Sequence, residues 1–250
     1  MKRNTNREKN IDRFNQDVSE SGGYAYTGSE RYSSRVANGR LSETVTQMVC
    51  IKGKTLIDIG CGDGTYTLEL MPLQPKAILG VDAAENAIQA ARRKAGELSR
   101  GAGDPIIDFS VLDVYKLSQL SRTFDVAVVR GLLHHLYDPE AAIRSIAGIA
   151  KEIVVIEPNG YNPILKVIER FSAYHVAHEE KSYAPHRLEA WFLASGAHVE
   201  KGFYAGFVPM FCPEGMARVL KKLEPWVERT PGLRALGCAV CVLKLRGRAA

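Results

Sequence analysis

Long apolar runs are missing from this chain. No stretch approaches the roughly 20 consecutive apolar residues that span a bilayer, and the polar start from Met1 to Ser19 has no signal-peptide apolar region. A cytoplasmic protein without a membrane span is the expectation. Cysteine is scarce as well: Cys50, Cys61, Cys212, Cys238 and Cys241 are odd in number and mostly set among apolar neighbours. That usage argues against a disulfide framework and suits small buried groups in a reducing compartment. Cys238 and Cys241 fall in Gly237 to Leu243, read as strand, where residues three apart face opposite sides, so neither a zinc clasp nor a redox pair is expected. Charge of one sign is not in large excess either, the formal net charge being +5. Basic residues gather at the two ends, but no continuous basic stripe interleaved with aromatics speaks for nucleic acid.

What is present is alternation. Apolar strand-like runs at Thr55–Ile59, Ala77–Val81, Ile106–Leu112, Phe124–Val129 and Ile153–Ile156 are separated by helix-like segments at Tyr66–Met71, Glu85–Leu98 and Pro139–Ile149. This rhythm predicts a parallel sheet covered on both faces, hence an α/β protein, and 250 residues suffice for one core. The polar residues 1–40, with Tyr24, Tyr26 and Tyr32 among Asn, Ser and Gly, read as an N-terminal cap segment before a main domain over 41–250. A helix is expected from Leu41 toward Val49. Past Glu157 the rhythm changes. Asn162–His178 carries the stripe Ile164, Leu165, Val167, Ile168 and Phe171, which is either an amphipathic helix packed on the sheet or a cap over a pocket within an insertion spanning 160–195. Helices at Pro185–Ala194 and at Pro213–Arg229, the latter interrupted at Pro225, and strands near His198–Tyr204 and Gly237–Leu245 complete the chain.

The chemistry is written in the turns. The first strand runs into Gly60-Cys61-Gly62-Asp63-Gly64, where absent side chains let backbone approach a ligand closely and tolerate unusual torsions. No Gly-Lys-Ser/Thr follows, so this is not a Walker phosphate loop, and Thr65 stands where a dinucleotide fingerprint needs its third glycine. Asp58 and Asp63 would oppose a pyrophosphate, so a ligand with a cationic or neutral portion fits better. Asp82 and Asp113 close the second and third strands. One suits a pair of ribose hydroxyls and the other an exocyclic adenine amine, with helix capping as the plainer role for each.

Together these features resemble the class I S-adenosylmethionine-dependent methyltransferases, on the matches Asp58-Ile-Gly-Cys-Gly-Asp-Gly64, Gly80-Val-Asp82, Val111-Leu-Asp-Val114 and the run from Phe124 to Pro139. The resemblance covers Leu41 to Pro158 and, more loosely, the last two strands. It implies a Rossmann-like seven-stranded sheet in the order 3-2-1-4-5-7-6 with the last strand antiparallel, helices on both faces, and S-adenosyl-L-methionine as cofactor. By the family pattern the backbone of Gly60, Cys61, Gly62 and Gly64 holds the methionine portion, and Asp58 organises the turn and positions the amino group. Asp82 takes the ribose hydroxyls, Ala83 touches the adenine face, and Asp113 with Val114 contacts adenine.

The segment Arg130 to His135 would lie near the methyl group, with Arg130 counted among the cofactor contacts and His134 as general base for a hydroxyl or phenol. His135 packs on the sheet or fixes a loop. Glu157 would face the acceptor, with Asn159 adding a hydrogen bond, although Ile156-Glu-Pro-Asn-Gly160 is also an ordinary strand-to-helix turn. Tyr24, Tyr26 and Arg31 would close over the methyl donor, Arg31 or Arg35 meeting its carboxylate. The alternative there is a polar terminus whose aromatics pack locally. His175, His178, Glu179 and Glu180 suggest a metal only by proximity in sequence, and no metal is expected. The function implied is methyl transfer to a small-molecule acceptor, oxygen ahead of nitrogen or carbon. The alternatives are a protein or RNA methyltransferase, a non-catalytic S-adenosylmethionine-binding regulator and an oxidoreductase; an Asn-Pro-Pro-Tyr-like amine site is missing.

Overall fold

Every residue from Leu56 to Ile59 is buried in the computed structural model, which describes residues 11–16, 18–19, 24, 27–28, 30–98, 104–172 and 181–249. Burial on both faces is what a strand inside a covered parallel sheet requires. This strand, β1 (Thr55–Ile59), lies within a seven-stranded sheet ordered β3-β2-β1-β4-β5-β7-β6. It pairs in parallel with β2 (Ala77–Asp82) and β4 (Phe124–Arg130), and β3 (Ile106–Val111) and β5 (Ala150–Pro158) extend the parallel set. β7 (Val240–Arg246) is antiparallel to both β5 and β6 (His198–Ala205), so the expected order and its one reversed strand are both present.

Alternation along the strands divides the core in two. Ile57, Ile59, Leu79 and Val129 pack on one face against α4 (Pro139–Ile146) and α6 (Pro185–Ala194). Leu56, Ile78 and Val128 pack on the other with α1 (Tyr32–Met48) and α3 (Glu85–Glu97). Burying each such side chain contributes about 1.5–3 kcal/mol, so the two layers fix the sheet firmly. Between β1 and β4 the strand order reverses, and the loops leaving their carboxyl ends diverge to open a crevice. A short helix, α2 (Thr65–Leu68), follows the glycine turn directly. Among the described residues no helix is long and apolar enough to cross a membrane.

Four local expectations give way. α1 begins at Tyr32 and runs through positions 40 and 41; its first half is buried through polar bonds, Ser33 and Ser34 Oγ both donating to Met210 O, which leave no apolar period to read. α7 (Glu214–Arg229) is continuous through Pro225, held where Glu224 and Glu228 accept from the Phe207 and Gly206 N–H groups. Cys238 precedes β7, at the end of α8 (Pro231–Gly237), and burial pushes its thiol and that of Cys241 up to about 12. Finally, α5 (Pro163–Phe171) has no buried residue, so its stripe does not pack on the sheet as an ordinary amphipathic helix would.

The turn between β5 and α5 is pinned from inside. Asn159, 0% exposed, donates to Ala235 O (2.8 Å) and Cys238 O (3.0 Å) and accepts from Tyr161 N. It is a structural tie and not the acceptor contact expected of it. Asn159→Ala should therefore cost about 1–3 kcal/mol, Ala235 O and the Tyr161 N–H losing their partner while Cys238 O keeps Asn162 Nδ2. Urea unfolding checks this, and an unchanged midpoint would mean that the ties are dispensable.

Candidate functional site

Gly60, Gly62 and Gly64 all take left-handed backbone, with φ of 76°, 53° and 75°. A side chain there would be strained, and there is no space for one: a Cβ on Gly62 would sit 2.7 Å from the Tyr24 ring, one on Gly64 2.8 Å from Ala91 Cβ. The turn is thus shaped by close approach of the chain's own side chains as well as by torsion. Helical residues in 11–19 cover the neighbouring start of α3, Phe14 and Val18 packing with Ala84, Ala87 and Ala90 while Asn15 Oδ1 accepts from Asn86 N (2.9 Å). Tyr26 lies outside the described residues.

The acidic residues of the crevice divide by what holds them. Asp63, 1% exposed, accepts from Tyr24 N, Thr27 Oγ1 and Thr65 Oγ1 and pairs with Lys94 at 2.9 Å. Burial drives its carboxyl upward, but Lys94 and Thr65 outweigh it and hold it below the usual range. Its charge is consumed internally. Asp82 takes one backbone N–H on each oxygen, Gly62 on Oδ2 (3.0 Å) and Ala84 on Oδ1 (2.8 Å), and burial raises its pKa. Asp113 caps the 3-10 turn Val114–Leu120 by accepting from Tyr115 N, with Val114 buried beside it. Ala83 is half-buried next to Asp82, and Cys61 is buried, its thiol pushed well up by burial and then by Asp82.

A small pocket joins the turn to α1, lined in part by Ser42, Asp58, Gly60, Tyr66 and Arg130. The Arg130 guanidinium lies 3.4 Å from the Tyr66 ring centroid and donates to Ser42 Oγ (2.9 Å) and Asn38 O (3.3 Å). Asp58, on the same face of the sheet, accepts from Thr67 Oγ1 at 2.5 Å. Sequence reading missed Asn38, Ser42 and Tyr66, and no spacing announces them. Arg31 and Arg35, expected here, do not line the pocket: Arg31 lies over Phe211 and Arg35 donates to Glu30 O.

On the other side of the crevice β4 is followed by Gly131, whose φ of 64° turns the chain into the 3-10 turn Leu133–His135. That turn points its N–H groups at Glu157. One oxygen of Glu157 accepts from Leu132 N and Leu133 N, both at 2.8 Å; the other accepts from His134 N and lies 2.8 Å from His134 Nδ1. Glu157 is 1% exposed and His134 8%. The carboxylate expected to face an acceptor instead holds the histidine from beneath. His135 lies against His134, ring centroids 3.8 Å apart and planes tilted by 40°, and meets Phe14 edge-on. Lys181 N donates to His134 O, bringing the residues after 180 over this turn. His175, His178, Glu179 and Glu180 lie outside the described residues, and among those described no metal-holding cluster occurs.

The methyltransferase-domain family matches residues 32–201, about two thirds of the chain. The chain belongs to the class I S-adenosylmethionine-dependent methyltransferases. A ubiquinone biosynthesis O-methyltransferase of Coxiella burnetii is 27% identical over 130 residues, 52% of this chain and 50% of that protein; one of Idiomarina loihiensis is 33% identical over 100 residues, 40% and 39%. The chain thus spans about half or less of the length of these curated relatives. Among solved structures, magnesium protoporphyrin IX methyltransferase of Synechocystis with bound S-adenosylmethionine aligns at TM-score 0.64, 13% identity, over 95% of this chain and 97% of that one. A [4+2]-cyclase aligns equally well, at TM-score 0.64 and 19% identity over 89% and 85%. The methyltransferase fold is shared; it does not by itself set the reaction.

The cofactor of this family is S-adenosylmethionine, and the residues fit it. Each Asp82 oxygen, having taken one N–H, keeps a lone-pair site for one of two vicinal hydroxyls. The pocket beside the turn presents a guanidinium and a carboxyl together, as a zwitterionic amino-acid end requires.

Burial pushes Asp58 up to about 6, partly countered by Thr67 and Arg130. Unfolded, the group titrates near 3.9. The folded state therefore keeps a proton that the unfolded chain has released, and the resulting stabilisation, full below about pH 4, is lost as pH rises through about 6. It amounts to about 3 kcal/mol. Asp58→Asn should remove this dependence, so wild-type stability relative to the variant falls by about 2–3 kcal/mol between pH 4 and 7 in urea titrations. A difference that stays constant across that window would mean the carboxyl is ionised throughout.

Proposed function

We propose that this chain is an enzyme that methylates a small-molecule acceptor, with oxygen ahead of nitrogen or carbon, and that His134 is its general base. The observation supporting the reading is the 2.8 Å pairing of His134 Nδ1 with Glu157, a carboxylate that three backbone N–H groups hold still. A carboxylate against Nδ1 selects the tautomer protonated there and stabilises the imidazolium formed when Nε2 takes a proton. Glu157 is then a positioning residue. S-adenosylmethionine, when bound, supplies an electrophilic methyl group on a sulfonium.

The chain does the rest. Backbone at Gly60, Cys61, Gly62 and Gly64 would carry the methionine portion, with Asp58 and Arg130 answering its charged groups. Asp82 would take the ribose hydroxyls, and Ala83, Asp113 and Val114 would border adenine. His134 removes the acceptor's hydroxyl proton as the oxygen becomes nucleophilic, and its burial keeps water from competing. The segment before residue 41 serves as cover on the cofactor side through Tyr24, and the insertion over 160–195 borders the acceptor through the residues after 180. The curated relatives' names, O-methyltransferases, agree with an oxygen acceptor. A cytoplasmic setting suits the five free thiols.

Incubation with labelled S-adenosylmethionine and fractionated metabolites, followed by mass identification of the labelled product, tests the activity; label that stays on the cofactor would sink it. With that acceptor, His134→Gln should lower kcat by about 100-fold or more while cofactor affinity stays within about twofold. Undiminished turnover would remove His134 as the base. Asp82→Ala should weaken S-adenosylmethionine binding by at least about tenfold in calorimetry, each lost charge-assisted bond being worth ~1.5 kcal/mol or more, and equal affinity would end its ribose role.

A further inference from the structure

Three helices stand beyond the carboxyl ends of the strands, at the edge where the crevice opens. α5 follows β5 directly; α7 is tied to the first residues past β6 through Glu224 and Glu228; α8 leads into β7. Each turns apolar side chains to solvent. On α7 the exposed residues are Met216, Val219, Leu223 and Trp226, one stripe at helical spacing, with Val219 58% and Trp226 61% exposed. On α5 they are Ile164, Val167, Ile168 and Phe171, the last 75% exposed. Monomeric proteins rarely leave stripes of this kind in water without a partner, and all three helices adjoin the same edge of the sheet.

Charge says which partner. These three helices carry seven basic and four acidic side chains. All four carboxylates are engaged: Glu169 with Lys166, Glu214 with Arg218, Glu224 with Lys221 and Glu228 with Arg40. Arg170, Lys222, Arg229 and Arg234 remain as surplus positive charge. In a two-fold interface between copies the same patch meets itself, so that surplus would be set against its own image. An anionic lipid surface complements it, and helices with Trp and Leu on one side and Lys and Arg on the other are the kind that settle at the headgroup level.

We infer that α5, α7 and α8 form a seat for the surface of an anionic phospholipid bilayer, which sets the mouth of the crevice against the lipid. Combined with the methyltransferase reading above, on which this extension rests, the acceptor is an apolar molecule that reaches His134 from the membrane. The seat itself is measured without any methyl transfer, so the two ideas fail separately.

The test uses the full chain with Trp191→Phe, leaving Trp226 as the remaining tryptophan of the two. With phosphatidylcholine vesicles containing phosphatidylglycerol, Trp226 emission should shift to the blue and the protein should sediment with the lipid; pure phosphatidylcholine should bind it less. Val219→Glu with Leu223→Glu should reduce partitioning by at least about tenfold, and so should Lys222→Glu with Arg229→Glu, which leaves the apolar stripe intact. Both variants should keep S-adenosylmethionine affinity, which certifies their fold. No binding to anionic vesicles, or binding that both variants retain, would overturn the seat. A dimer in light scattering that the glutamates dissolve would give the face to a second copy instead.

Discussion

Glu157 receives three backbone N–H groups and an imidazole in a place that water hardly reaches. Beyond the last paired residue of β4 the chain turns sharply, and the freed N–H groups of Leu132, Leu133 and His134 have no strand to bond. An unmet buried donor costs roughly 1–3 kcal/mol, so one carboxylate from the neighbouring strand settles three such debts at once. The position of the histidine follows from this. Its ring is fixed because the backbone beneath it and the ring nitrogen itself are bound by the same side chain.

The cofactor side is organised by a comparable balance of charge. Asp63 and Lys94 neutralise each other, so the carboxylate whose charge was read as opposing a pyrophosphate ties the turn to α3. Asp58 has no such close cation, and its burial is met by a hydroxyl and, at longer range, by Arg130. The two acids stand close in sequence and differ in environment, which is why one lies below the usual range and the other well above it.

The sheet was legible because its central strands are largely apolar and its turns carry glycine and aspartate at the ends. β1 occupies the expected Thr55–Ile59 and Asp82 closes β2 as read, while Asp113 lies two residues past the end of β3 as the cap of the next turn. What was hidden lies where polar residues make the packing. The first half of α1 buries Ser33, Ser34, Asn38 and Arg40 through specific bonds, and such burial leaves no period. Arg130 was found by its place at the end of β4, but its companions Asn38, Ser42 and Tyr66 come from elements brought near only by the fold. The stripe of α5 misled because amphipathicity tells that a face is apolar without telling what covers it. Pro225 misled because contacts of the neighbouring Glu224 and Glu228 outweigh one missing bond.

Phe14 touches both Tyr24, whose ring lies over Gly62, and His135, whose ring lies on His134. An unbroken row of rings therefore runs from the glycine turn to the histidine held by Glu157. The two sides of the crevice share one wall, in which the Phe14 ring is the common neighbour. That wall is supplied in part by a short N-terminal segment that belongs to none of the strands of the sheet.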